Sequence, residues 1–76
     1  VTIDPDLPVP AYRQLAAILR GRIAAGELKG RLPGEVTLQQ TYGVGRNTVR
    51  AAIGVLKEEG LLVTVAGLGT YVLAAD

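Results

Sequence analysis

The stretch from Val44 to Gly60 narrows what this chain can fold into more than any other. Val49, Ala52, Ile53 and Leu56 recur at spacings of three and four, which gathers them into one apolar stripe on a helix. Arg46, Asn47, Arg50 and Lys57 fall away from that stripe. Such a helix has one face that must be covered and one that must stay open. The rest of the chain has to provide the cover.

What precedes it reads as two further helices. Residues 1–10 hold three of the four prolines and two aspartates and are expected to form an extended N-terminal arm. Pro10 suits the first turn of a helix, where its missing N–H costs nothing. From Ala11 to Ala25 the apolar residues Tyr12, Leu15, Ala16, Ile18, Leu19 and Ile23 gather on one side, and Gly26 closes the helix as a left-handed cap. Tyr12, like Tyr71 near the other end, is expected to pack in the core with its hydroxyl exposed. Residues 27–30 form a connector. Arg31-Leu32-Pro33 allows an edge strand of one or two residues, because Pro33 stops any longer ladder. Gly34 to Tyr42 predicts a short second helix with Val36, Leu38 and Tyr42 facing inward and Glu35 at the positive end of its dipole. Tyr42 has two readings: it closes the core or it reaches a phosphate.

Gly43 then makes a tight turn into the third helix, about residues 47–59, with Val44 tucked between the two helices and Asn47 as N-cap. Helix, glycine turn, helix is the helix-turn-helix arrangement. After Gly60 the pattern becomes extended. Leu61 to Val65 and Thr70 to Leu73 are rich in β-branched residues, and Ala66-Gly67-Leu68-Gly69 between them predicts a hairpin turn. The expected fold is therefore α+β, mainly α: a winged helix-turn-helix of three helices followed by a β-hairpin wing over 61–73. A single domain spans 11–73.

Composition removes several functions. At 76 residues the chain buries only about 60% of its unfolded surface, too little for a deep catalytic cavity. It contains no Cys and no His, which removes thiol chemistry, disulfides, the commonest metal ligand and the usual general base. Glu27, Glu35, Glu58 and Glu59 lack a partner base or metal ligand. No enzyme activity, metal or cofactor is expected. No apolar run reaches the ~20 residues of a membrane span, and residues 1–6 lack the basic start and apolar block of a signal peptide. A cytoplasmic protein is expected, with no membrane partner. What remains is the open face of the third helix. Guanidinium and amide groups such as those of Arg46, Asn47 and Arg50 fork onto guanine and adenine edges in a DNA major groove. The hydroxyl of Thr48 suits a phosphate, or equally a local cap. Lys57, far down the helix, reads as solvated. Lys29 and Arg31, which flank the short edge strand, have two readings, contact with a backbone phosphate or a solvated loop, and the second is favoured. Gly54, mid-helix at a cost of roughly 1 kcal/mol relative to alanine, points either to close helix packing or to a near approach of DNA.

The chain resembles the N-terminal DNA-binding domain of the GntR family of bacterial transcription regulators, from about Pro10 to Val72. Four blocks carry the resemblance: Pro10-Ala11-Tyr12-Arg13-Gln14-Leu15; Gly26-Glu27-Leu28 with Leu32-Pro33; Tyr42-Gly43-Val44 with Arg46-Asn47-Thr48-Val49-Arg50; and Glu59-Gly60-Leu61-Leu62 with Gly67-Leu68-Gly69-Thr70-Tyr71-Val72. It implies a sequence-specific regulator that binds double-stranded DNA, a short two-fold symmetric operator, as a homodimer. It places Arg46, Asn47, Thr48 and Arg50 at recognition-helix positions that contact DNA, and Gly67 at the wing tip near the minor groove or a phosphate.

The sequence departs from the family pattern in four ways. Val36 stands where an arginine is usual, Gly45 stands where a serine is usual, and residues 63–68 carry no charge. The chain also stops four residues after Val72, so no effector domain and no small-molecule site are expected within it. The uncharged wing, Val36 and a formal net charge of only +1 favour an alternative, a winged-helix protein–protein interaction module with weak or no DNA binding. Exposed Leu68 would suit such a contact.

Overall fold

The computed structural model describes residues 3–73. Three helices, α1 (Ala11–Ala24), α2 (Glu35–Tyr42) and α3 (Arg46–Glu58), precede two antiparallel strands, β1 (Leu62–Val65) and β2 (Gly69–Val72). The order is that of a winged helix-turn-helix. The core is one cluster. Leu15, Ala16 and Leu19 of α1 meet Leu38 and Tyr42 of α2, Val49, Ala52 and Leu56 of α3, and Leu28, Leu32 and Leu62 from the connecting segments and the hairpin. Aliphatic side chains fill nearly all of it, as the scarcity of aromatic residues requires.

Glycine ends each helix. After α1, Gly26 takes φ 78°, and the amides of Gly26 and Glu27 donate to the carbonyls of Ile23 and Arg22. After α3, Gly60 repeats the device, with the amides of Gly60 and Leu61 donating to Lys57 and Leu56. These are Schellman caps, which an L side chain at the left-handed position would strain. Gly43, at φ 66° and ψ 39°, makes the turn between α2 and α3. Val44 follows it, partly buried against the core.

Three sequence expectations are corrected. Val36 faces outward, 63% exposed. In a helix of eight residues the buried face belongs to Leu38 and Tyr42, four apart, and Val36 lies about 200° round from Leu38. The N-cap of α3 is Gly45, whose carbonyl accepts from the Val49 amide, and no side chain caps that end. Asn47 therefore lies inside the first turn with its amide uncommitted, and Thr48 is not a cap either. Finally, Tyr12 and Tyr71 are only partly buried. Tyr12 instead carries the Arg13 guanidinium 5.7 Å above its ring. Tyr42 does close the core, with its hydroxyl accepting from Arg22 Nη1 at 2.6 Å.

The hairpin is tied down along its β2 edge. Its register pairs Leu62 with Val72 and Val65 with Gly69. Arg31 adds the expected one-residue strand, bridged to Tyr71. The Leu32 amide donates to Thr70 and the Val72 amide to Gly30. The end of α3 is fixed to α1 by Arg20, whose Nε and Nη2 donate to the Glu59 carboxylate at 2.8 and 2.5 Å. That hydrogen bond raises the Arg20 pKa and holds Glu59 below the ordinary carboxylate value. Ahead of α1, Gln14 accepts from the Asp4 amide and donates to the Asp4 and Val9 carbonyls, so the arm turns and lies against the first helix.

Leu56 is fully buried where α3 meets the rest of the core. Leu56→Ala should cost about 2–5 kcal/mol and lower Tm by about 10 °C or more. Val36→Ala should stay within about 0.5 kcal/mol. Thermal melts of the two variants check this, and a large loss at Val36 would contradict its outward position.

Candidate nucleic-acid interface

The buried stripe of α3 sets the direction of everything else on it. With Val49, Ala52 and Leu56 inward, the first turn presents Arg46 and Asn47 to solvent, and Arg50 follows one turn on. Thr48 sits on the flank, partly buried. Lys57 is exposed at the far end of the helix. Gly67 lies elsewhere, exposed in the hairpin turn at φ 78°, where the Leu68 amide donates to the Val65 carbonyl. Glycine is the residue that such a turn position asks for. Arg46, Asn47 and Arg50 thus form one group, and Gly67 stands apart at the wing tip.

One carboxylate organises that group. Glu35, at the start of α2, places Oε1 3.4 Å from Arg46 Nε and Oε2 3.0 Å from Arg50 Nε. Arg46 and Arg50 are four apart on α3, so both guanidinium groups rise from the same side of the helix. Both remain more than half exposed, at 61% and 54% of their side-chain surface. Each approaches Glu35 through Nε, and the terminal amino groups have no hydrogen-bond partner among the described residues. Surface pairs of this kind are worth about 0–1 kcal/mol. Their main effect is to reduce the number of rotamers that two long side chains explore.

Sequence reasoning assigned Glu35 to the helix dipole and missed this bridge. The partners are 11 and 15 positions away, and no local pattern links them. It favoured a solvated loop for Arg31 over contact with a backbone phosphate. In the fold, Arg31 lies beside Arg50, Gly54 and Lys57 in the trough between α3 and the hairpin. Gly54 does not serve helix packing, because a Cβ there would meet nothing within 4 Å. The hairpin adds no charge. Val63, Val65 and Leu68 are its exposed apolar residues, with Leu68 at 56%. No helix among the described residues is long and apolar enough to cross a membrane.

Chemically, the site offers planar donors on a helix end, steadied by one acceptor and bordered by further cations. Such groups suit planar acceptor edges and anionic oxygens.

Comparison with known proteins agrees with that chemistry. The family described as "Bacterial regulatory proteins, gntR family" matches residues 11–72. The mannosyl-D-glycerate transport/metabolism system repressor MngR of Escherichia coli K12 is 49% identical over 65 residues, 83% of this chain and 27% of MngR. The HTH-type transcriptional repressor NagR of Bacillus subtilis 168 is 38% identical over 74 residues, 95% of this chain and 30% of NagR. The chain therefore spans less than a third of either relative's length. Among solved structures, AraR(DBD) in complex with operator ORX1 superposes with a TM-score of 0.85 at 34% identity, covering 96% of this chain and 95% of that one. YtrA from Sulfolobus acidocaldarius, a GntR-family transcription factor, gives 0.85 at 34% identity, covering 97% and 80%.

Replacing Glu35 by Gln should free both arginines with little loss of stability, within about 1 kcal/mol. NMR relaxation of the arginine Nε–H groups should show lower order at Arg46 and Arg50 in the variant and no change at Arg20. Unchanged order at both would remove Glu35 as their support.

Proposed function

The chain belongs to the gntR family of bacterial regulatory proteins, and from that membership we propose that it is a sequence-specific DNA-binding module of a transcription regulator. The observation that carries the proposal is the outward N-terminal part of α3, where Arg46, Asn47 and Arg50 stand exposed with two guanidinium groups sharing Glu35. A helix about 10–12 Å across fits a B-DNA major groove about 12 Å wide. In this reading α3 enters the groove by its N-terminal end. Arg46 and Arg50 donate in pairs to guanine O6 and N7, and Asn47 meets adenine N6 and N7. Thr48, on the flank, takes a backbone phosphate. Gly67 lets the wing tip bring its backbone close to the adjacent minor groove. Residues 11–73 are the DNA-binding unit and residues 1–10 an accessory arm.

Several features support this reading. AraR(DBD), which shares the fold at 34% identity, occurs in complex with operator DNA. The matched relatives MngR and NagR are repressors, and regulation rather than catalysis is the role proposed for this chain. One copy offers few phosphate contacts, so it binds weakly, and each contact adds about 0.9 to the salt slope. Two copies on a two-fold symmetric operator add their contacts, as helix-turn-helix dimers do on paired half-sites. The setting is the cytoplasm, where a bacterial chromosome is reached.

A second reading draws on the hairpin. Exposed Val63, Val65 and Leu68 would suit contact with another protein instead of DNA.

In vitro selection from a random duplex library separates the two. The DNA reading expects a recurrent two-fold symmetric sequence. It also expects Arg46→Ala to lower the operator-to-random affinity ratio by roughly 5- to 150-fold, the ~1–3 kcal/mol of one bidentate base contact. Lys57→Ala should leave that ratio unchanged. A library with no enriched sequence, together with no retention on random duplex at low salt, would favour the protein-contact reading.

A further inference from the structure

The major groove of a duplex is divided from the neighbouring minor groove by one sugar–phosphate backbone. With α3 in the first and the wing tip at the second, that backbone has to pass between α3 and the hairpin. In this chain the two elements are separated by a trough of about 740 Å³. Arg50, Gly54 and Lys57 enter it from α3, Gly69, Thr64 and Thr70 from the hairpin, and Glu35 from the start of α2, its carboxylate already paired with Arg46 and Arg50. Arg31 lines it as well.

Four details make the trough suitable for a chain of phosphates. Arg31 and Lys57 have no carboxylate partner among the described residues, so both cations face solvent uncompensated. The Arg31 guanidinium lies directly over Gly69, where a Cβ would come 3.1 Å from Nε and 3.5 Å from Nη2. Its backbone is fixed there by the Leu32 amide donating to Thr70 and the Val72 amide donating to Gly30. Thr64 and Thr70 hold their hydroxyls 3.3 Å apart across the hairpin; one donates to the other, which leaves a single O–H for an outside acceptor. Finally, Gly54 keeps the helix wall bare at mid-helix although a Cβ would meet no atom within 4 Å. Packing does not ask for that glycine, and helix propensity opposes it.

We propose that this trough seats the DNA backbone strand lying between the two grooves. Arg31 on the hairpin side and Lys57 on the helix side bind its phosphate oxygens, with one threonine hydroxyl as an added donor. Gly69 leaves space for the Arg31 guanidinium. Gly54 lowers the α3 wall so that the strand comes close to the helix. This deepens the DNA-binding reading and rests on it. Because phosphates carry no sequence information, these residues add to affinity for operator and random duplex alike.

The test titrates the 76-residue chain and its variants on a selected operator and on a random duplex across a salt series. Arg31→Gln and Lys57→Gln should each weaken binding roughly five- to tenfold near 0.1 M salt and lower the salt slope by about 0.9 on both duplexes. Gly54→Ala should raise Tm by about 4–8 °C and still weaken binding to both duplexes several-fold. If the parent chain binds and both charge variants keep its slope and affinity, the trough is not a backbone seat, although the DNA reading stands. A Gly54→Ala variant that is more stable and binds as well as the parent would also overturn the proposal. A parent chain that binds neither duplex ends both.

Discussion

The seating of α3 is the constraint on which everything else depends. Val49, Ala52 and Leu56 are fully buried against α1 and α2, and each aliphatic side chain removed from water contributes about 1.5–3 kcal/mol for a residue of Val or Leu size. A helix advances 100° per residue, so a rotation by even one position would drag Arg50 or Ile53 into the place of a buried neighbour. Burial of an unpaired guanidinium is prohibitive on this scale. The apolar stripe therefore does more than stabilise. It fixes the azimuth of Arg46, Asn47 and Arg50, and the Schellman caps at Gly26 and Gly60 together with the Gly43 turn fix where the helix starts and stops.

Electrostatics then refines what packing has aimed. Glu35 sits between two cations and joins α2 to α3, while Arg20 and Glu59 join α1 to the far end of α3. Both bridges are exposed and add little to stability. Their effect is on orientation. Val36 points outward beside Glu35, so the position that usually carries an arginine in this family keeps its outward aim and loses its charge. With an uncharged hairpin as well, the cations left near α3 are Arg46, Arg50, Lys57 and Arg31. In the proposed DNA reading, the trough between α3 and the hairpin takes a correspondingly larger share of the phosphate contacts.

Much of this was readable in the sequence because it is local. The stripe of α3, the glycine stops, the β-branched runs of the hairpin and Pro33 after the edge strand each express themselves within a few residues. Element bounds agree with the structure to within one or two positions for that reason. The misplaced residues are those decided by tertiary geometry. Asn47 has a capping side chain, but Gly45 already accepts the first helical bond. Val36 is apolar, but an eight-residue helix has room for only one buried face. Tyr12 and Tyr71 were expected in a core that aliphatic residues already fill. Glu35 and Arg31 take their places from elements brought together across 11 or more positions, for which a single sequence holds no local signal.

The central claim is that the outward N-terminal part of α3 is the surface that meets DNA. Amide chemical-shift mapping of the labelled chain, titrated with a selected operator duplex, tests it most directly. The account predicts the largest changes at Arg46, Asn47, Thr48 and Arg50, with Gly67 moving alongside them and the exposed side of α1 at Ala17 and Gly21 unmoved. Changes concentrated on Val63, Val65 and Leu68, with residues 46–50 still, would contradict it.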